Sequence, residues 1–459
     1  MSSSNGLANK QTTEQVSKGA TSIGYLSLML LVLGDALFAQ EYLYLSVHWL
    51  VWYFFAAVAL VGAGYYFLKS DWKRVLRQVP IELTLLVTLM IGSVLWSNYP
   101  NQTLTSFLIQ VGVILIALFY AAVFSWRAIL NIFANTIRVV IFAALSYELL
   151  LSIFAVLAQS AILGFDSNLF QMIRNIGQQP DGRTIDDLLL RNSFMGSWAL
   201  MGLITFLVEL VVKKSHKILT VVSIALSALT VALSGSAGVV FASVAVGLAA
   251  IVSLLAEGKD KATRHRYYRY AWALSGIAGF LVLTFRRPVF EFLGKSPDMT
   301  HRTDIWRSVF DLVTQRPLEG WGFTGVWVPG VEPYAGLIVI NGIEYFQAHN
   351  SYLDMWLQLG AVGLILFLIV LTRTFIKTWR LGVHHSNPLY LWPLLILVTQ
   401  LVRGITESRL LVQSAMMMLI LFAVKAYDPE ELLEQNTKTR KINQLDSLRK
   451  RPITRARLR

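Results

Sequence analysis

Twelve long apolar runs constrain this chain more than anything else in it. They lie near 21–38, 45–68, 81–97, 105–124, 139–159, 192–212, 218–235, 237–256, 270–286, 355–375, 389–404 and 410–426. The hydrocarbon core of a bilayer is about 30 Å thick and is crossed by about 20 apolar helical residues. The runs are too long for barrel strands and lack strict alternation. In hydrocarbon every backbone N–H and C=O needs a partner within the chain, so each run reads as a helix. The expected fold is all-α: a polytopic integral membrane protein of about 12 transmembrane helices, with a large extracytoplasmic loop between helices 9 and 10. Only 15% of residues are charged, against about 25% in soluble domains. That excludes a soluble enzyme and a disordered chain. The absence of cysteine excludes disulfides, thiolate catalysis and cysteine-ligated zinc.

The connections set the orientation. Residues 1–20 are polar and lack a charged stretch directly before a short apolar core, so we expect a cytoplasmic N-terminus without a cleaved signal. The loops at 69–80, 125–138, 213–217, 257–269 and 376–388 then face the cytoplasm, and all carry Lys or Arg. The opposite loops at 39–44 and 98–104 carry none, as the positive-inside rule requires. An even span count returns the tail, 427–459, to the cytoplasm. From Lys425 to Arg459 it has ten Lys/Arg and five Asp/Glu. We read it as a solvated segment held near anionic membrane lipids, not as a nucleic-acid site, because no aromatic interleaving accompanies the charge.

Two outer segments, 160–191 and 287–350, are too long to be simple connectors, and long loops of this kind carry function. The larger has a helix signal at Thr303–Arg316, with Ile305, Trp306, Val309, Phe310, Leu312 and Val313 on one face and Pro317 and Gly320 beyond it. Ser234-Gly235-Ser236-Ala237-Gly238 reads as a tight small-residue turn between two spans.

Candidate chemistry concentrates on the outer side. Of the seven histidines, His216, His265, His384 and His385 fall among cytoplasmic basic residues, and His48 sits at an interface beside Trp49. His301 and His349 lie in the large outer loop, His349 just before a span. An imidazole there suits either a general base or a structural hydrogen bond. Arg191, Arg286, Arg287, Arg302, Arg403 and Arg409 all sit near the outer face, where positive charge is normally depleted. Each alone reads as a snorkelling cation; together they suggest an anion site, since guanidinium is the natural clamp for phosphate. The outer carboxylates are scattered and no metal-ligand spacing appears, so no metal and no cofactor is expected. A P-loop and a nucleophile elbow are both absent.

His349-Asn350, then nine residues, then Gly360-Ala361-Val362-Gly363 resembles the signature of the bacterial O-antigen ligase and polysaccharide polymerase superfamily. Upstream, Thr300-His301-Arg302-Thr303-Asp304-Ile305-Trp306 and Arg316-Pro317-Leu318-Glu319-Gly320-Trp321-Gly322 resemble motifs of its exopolysaccharide polymerase branch. His301 stands where that branch has Gly, and Ser236-Ala237 stands where many members have Ser-Arg. Arg191-Asn192-Ser193-Phe194-Met195-Gly196 is loosely similar to a further basic element.

The resemblance implies a glycosyltransferase at the outer face of the bacterial cytoplasmic membrane. It would act on an undecaprenyl-diphosphate-linked oligosaccharide donor and a glycan or glycolipid acceptor, without metal or nucleotide sugar. His349 would be the catalytic base, and Arg302, Arg191 and Arg287 would hold the diphosphate. Asn350, Tyr352, Asp304, Gly360 and Gly363 would support them. A chain-length regulator or flippase is implied as a partner; nucleic acid is not. Three readings stay open: a polymerase joining lipid-linked repeats, a ligase moving the glycan to lipid A core, protein or wall acceptors, and a glycolipid transporter. The last needs intramembrane ionisable residues, of which Glu148 and Glu209 are the clearest.

Overall fold

The computed structural model describes residues 17–39, 46–159, 193–212, 217–284, 302–340, 343–385, 387–411 and 413–426. Each of the twelve apolar runs falls on a helix. In chain order these are α1 (Lys18–Ala39), α2 (Ser46–Lys69), the short α3 (Trp72–Gln78), α4 (Ile81–Gly92), α5 (Pro100–Val123), α6 (Trp126–Gln159), α7 (Ser193–Val212), α8 (Lys217–Leu233), α9 (Ala237–Ala256) and α10 (Lys261–Thr284). Then come α11 (Arg302–Val313), a two-residue antiparallel ladder of β1 (Val339–Ile340) and β2 (Ile343–Glu344), α12 (Ser351–His384), α13 (Trp392–Arg403) and α14 (Gln413–Lys425). Among the described residues six helices are long and apolar enough to cross a membrane. The pair α3 and α4, bent by 90°, makes a seventh, and α8, α13 and α14 are shorter apolar helices. The protein is a multi-pass, all-α membrane protein.

One expected loop is helix instead. Residues 126–138 extend α6 rather than connect two spans. The reason is an apolar stripe, Trp126, Ile129, Leu130, Ile132, Phe133 and Ile137, that is buried in the bundle. Arg138 is therefore not a loop cation. Its Nη2 lies 2.6 Å from Glu209 Oε2, its Nε donates to Ser223 Oγ at 2.9 Å and its Nη1 to Asn135 Oδ1 at 2.6 Å. A buried cation survives in a bundle only when paired and hydrogen-bonded. Similarly, α12 runs on to His384 through the stretch expected as a loop from 376.

Two short helices form the centre. Every residue of α14 is buried, as are ten of the twelve in α13, so both are enclosed by protein on all sides. α14 packs on α5, α1 and α12; α13 packs on α9, α7 and α12. At about 1.5 Å per residue neither reaches across about 30 Å of hydrocarbon. The residues that follow α13, 404–411, therefore sit recessed at one end of the bundle.

The same end gathers other connections. Arg409 Nη1 donates to Asp35 O at the end of α1, and Trp96 Nε1, just before α5, donates to Glu319 O. The α8–α9 turn and the start of α7 reach Arg403 there. The opposite end holds Lys425 against Ala121 O, Lys377 against Ala423 O and Arg373 against Glu82.

The large loop builds a small second core on the recessed end. Ile305, Val309 and Val313 of α11 are buried in it with Trp327, Tyr334 and Phe346. α11 ends at Val313, short of the expected Arg316, and Phe310 is exposed and packs edge-on to Trp356.

Candidate active site

His349 ends the large loop one residue before the N-cap of α12. Asn350 is that cap: its Oδ1 accepts from Tyr352 N at 3.0 Å and Leu353 N at 3.1 Å. Such a cap is worth about 1 kcal/mol. His349 itself has φ +46°, a left-handed conformation that costs a non-glycine residue about 1 kcal/mol or more. Neighbouring bonds hold it there. Trp306 Nε1 donates to Ala348 O at 3.0 Å, Asn350 N to Ser408 Oγ at 3.2 Å, and Ser351 N to Gly404 O at 2.8 Å.

The imidazole faces a buried carboxylate. His349 Nδ1 lies 3.2 Å from Glu407 Oε2, in the recessed turn. The other oxygen, Oε1, is 3.2 Å from Arg302 Nη2 and 3.6 Å from Arg403 Nη2, and accepts from Ser193 Oγ at 2.9 Å. Arg302 Nε also donates to Thr406 O at 3.2 Å. Arg403 Nη2 donates to Ser193 O at 3.3 Å and its Nη1 to Ser236 Oγ at 3.5 Å. The turn glycine Gly238 makes room for this, because a Cβ there would collide with Arg403 Nη1 and Thr406 Oγ1. A guanidinium thus stands beside Ser236, supplied by residue 403 where Ala237 has none to offer.

The electrostatics fix the state of the pair. Burial pushes the Glu407 carboxyl up, but the hydrogen bond and charge of His349, with Arg403 and Arg302, outweigh burial and hold it well below the usual carboxylate range. An ionised carboxylate can only accept, so His349 Nδ1 carries the hydrogen. In the neutral ring the lone pair is then on Nε2, as a base requires. Two guanidiniums against one carboxylate leave a formal charge of +1 in the cluster, which suits an anion.

Of the residues singled out in the sequence, His349, Arg302, Arg403 and Asn350 meet here. Tyr352 lies one turn along, its hydroxyl donating to Leu401 O at 2.9 Å and so tying α12 to α13. Asp304 is exposed, pairs with Arg307 at 3.3 Å and does not touch the cluster. Arg191 and Arg287 lie outside the described residues, as do Arg286 and His301. Gly360 and Gly363 are deeper in α12. Gly360 breaks the helix, with φ +65° and ψ −171°. A Cβ on it would collide with Leu318 O, and one on Gly363 would collide with the Leu359 side chain. The Gly-x-x-Gly spacing is thus the signature of this break. Glu407 was the residue missed as a site member, while Arg403 was one of the six outer arginines but was not named as a diphosphate ligand. The signal for Glu407 was a charged run, Arg403-Gly-Ile-Thr-Glu-Ser-Arg409, between two apolar stretches. Among the described residues no group of three or more His, Asp or Glu could hold a metal ion.

Fold and site together define a polytopic membrane protein with an Arg–Glu–His cluster recessed at one end of its bundle. Residues 222–368 match the family model described as O-antigen ligase, so the chain carries an O-antigen ligase domain over that stretch, as the motifs at His349 and Gly360 implied. It is similar to a putative polysaccharide ligase of Rickettsia felis, 33% identical over 87 residues, which is 18% of this chain and 21% of the relative. It is also similar to the exopolysaccharide production protein ExoQ of Rhizobium meliloti, 31% identical over 85 residues, 18% of this chain and 20% of the relative. A putative polysaccharide ligase of Rickettsia conorii is 25% identical over 171 residues, 27% of this chain and 41% of the relative. The chain thus spans between about a fifth and two fifths of the length of these relatives. The family match ends before Arg403 and Glu407.

Proposed function

We propose that this chain is a polysaccharide polymerase. It transfers an undecaprenyl-diphosphate-linked glycan to the hydroxyl of an acceptor glycan at the outer face of the bacterial cytoplasmic membrane. The observation that carries the reading is the shared carboxylate: Glu407 holds both His349 and Arg302 in one recess. The donor sugar already bears its leaving group, a diphosphate on C1. His349 Nε2 takes the proton from the acceptor hydroxyl as the oxygen attacks C1, and the C1–O bond to the diphosphate breaks. Direct in-line attack inverts the anomeric centre. Arg302, with Arg191 and Arg287, stabilises the charge that develops on the leaving diphosphate, the work a metal does elsewhere. A positioned base contributes about 10²–10⁴-fold.

Sidedness has support from the contacts. Every connection gathered around His349 is one that a cytoplasmic N-terminus puts outside, and Lys377 and Lys425 lie at the other end. The ligase reading is favoured by a specific observation too, the names of the family and of two relatives. Polymerase and ligase share the same bond change and differ in the acceptor. The transporter reading loses one of its two clearest candidates, since Glu209 is committed to Arg138.

The test is a transfer assay. Purified protein in detergent receives one defined undecaprenyl-diphosphate oligosaccharide with EDTA and no nucleotide sugar, beside a His349→Ala control. A ladder of longer lipid-linked products, lost in the variant, supports the polymerase. Transfer only to an added lipid A core, protein or wall acceptor selects the ligase. A ladder undiminished in the variant removes His349 from the chemistry.

A further inference from the structure

The helix that follows His349 is broken ten residues in, and the break is filled by the chain's own outer loop. Ala361 N donates to Pro317 O at 2.8 Å across the gap, while Trp321 N donates to Leu357 O at 3.0 Å and Gly322 N to Gln358 O at 2.9 Å. Non-helical backbone at membrane depth persists only where protein satisfies it. Gly320, with φ +69°, lies so close that a Cβ there would meet Gly360 N at 2.5 Å and Gln358 O at 2.6 Å.

Two buried polar side chains of the same helix fasten that loop. Gln358 Oε1 accepts from Thr324 N at 2.9 Å and Gly325 N at 2.8 Å. Its Nε2 donates to Asp354 Oδ1 at 2.9 Å, and the same oxygen accepts from Trp327 Nε1 at 2.8 Å. Trp327 in turn stacks on Tyr334 at 5.1 Å, and Tyr334 is joined through its hydroxyl to Tyr99 at 2.5 Å. Asp354 and Gln358 are 1% and 0% exposed. Nothing in the proton transfer uses them.

We infer that Asp354 and Gln358 are positioning residues: they lock the 317–327 loop into the break at Gly360 and so hold His349, at the head of the same half-helix, against Glu407. This rests on the proposed function of the site. Release of the lock frees the first turns of α12 to shift, and a general base is sensitive to shifts of about 1 Å. When His349 moves off Glu407, Nδ1 loses the carboxylate that holds its hydrogen, and the ring no longer presents the Nε2 lone pair in a fixed direction.

The experiment measures kcat and KM for the lipid-linked donor of Asp354→Leu, Asp354→Asn and Gln358→Leu in full-length protein, with His349→Ala in parallel. We expect the leucine variants to lose about tenfold or more in kcat, with KM within about threefold. Asp354→Asn keeps the acceptor oxygen and should retain most of kcat. Wild-type kcat in both leucine variants, or a loss confined to KM, would overturn the inference. So would an Asp354→Asn variant as inactive as Asp354→Leu, which would give the carboxylate a proton-transfer role of its own. If the leucine variants do not fold, Trp327→Phe keeps an aromatic ring against Tyr334 and removes the donor to Asp354. A lowered kcat with unchanged KM there supports the lock, and a wild-type kcat refutes it. An active His349→Ala would instead refute the reading of the site itself.

Discussion

Replacing Glu407 with Gln tests the cluster at its centre. The side chain keeps its size and loses its charge. In the native arrangement Oε2 takes His349 Nδ1 and Oε1 takes Arg302, Arg403 and Ser193. A glutamine has one oxygen and one NH₂ for the same positions. If the oxygen stays toward the guanidiniums, the NH₂ faces Nδ1. The imidazole must then turn its lone pair to Nδ1 and its hydrogen to Nε2, which makes it useless as a base. If the oxygen faces Nδ1, the NH₂ is forced against two cations. Either way a charge-assisted bond worth about 1.5–3 kcal/mol is lost, and the second arrangement adds repulsion. At about 1.4 kcal/mol per decade we expect kcat to fall about 10²-fold, with KM for the donor changed by less than about threefold. The assay is single-turnover transfer from a lipid-diphosphate glycan. It is run on wild type, Glu407→Gln, His349→Ala and the double variant. Residues that act as one unit are non-additive, so the double variant should be no slower than His349→Ala alone. A Glu407→Gln enzyme within about threefold of wild type, or a double variant slowed by the product of the single effects, would refute the argument.

Three further outcomes follow from the same contacts. Glu407 has a folded pKa held well below its unfolded value, so its contribution to stability is present above the unfolded pKa and lost as pH falls through the folded one. The melting temperature in detergent should drop more steeply from about pH 6 to about pH 3 in wild type than in Glu407→Gln, and parallel curves would contradict this. Gly360→Ala forces a side chain into a left-handed conformation and onto Leu318 O. We expect it to cost more than about 2 kcal/mol by thermal unfolding, whereas Gly247→Ala, within α9 and with open space around it, should be neutral or slightly stabilising. Glu209→Gln strands the buried Arg138 and should cost about 3–5 kcal/mol, while Arg138→Leu combined with Glu209→Leu should recover most of it. A double variant no better than the single one would show that the pair does more than neutralise itself.

How much of this was legible in the sequence depends on which physical signal each feature leaves. A span leaves a long one, because hydrocarbon demands about 20 apolar residues in a row, and all twelve runs coincide with helices. The start of α6 left a misleading one. Arg127, Asn131, Asn135 and Arg138 look like a polar connection, and only the partner Glu209, 71 residues away, makes a helix there tolerable. The break at Gly360 left no periodicity signal, since a glycine in an apolar run is compatible with a straight span. What specifies it is distant in sequence: the backbone of Pro317 and Leu318, which occupies the gap.

The site divides in the same way. His349 and Arg302 were visible because they sit in recognisable spacings, and because a search for phosphate ligands looks for cations. Glu407 was invisible to that search, since an acidic residue in an anion site reads as repulsion. The structure gives it the opposite sense. Left alone, Arg302 and Arg403 would repel each other across the recess and raise the cost of a third positive charge on His349. The carboxylate between them lowers that cost and sets the ring's tautomer, and still leaves a net positive charge. Under the proposed function, an anion clamp and a base that becomes cationic during the reaction share one recess because something negative stands between them. The short helices α13 and α14 serve this end, because their length keeps Glu407 below the rim where burial strengthens each of its contacts.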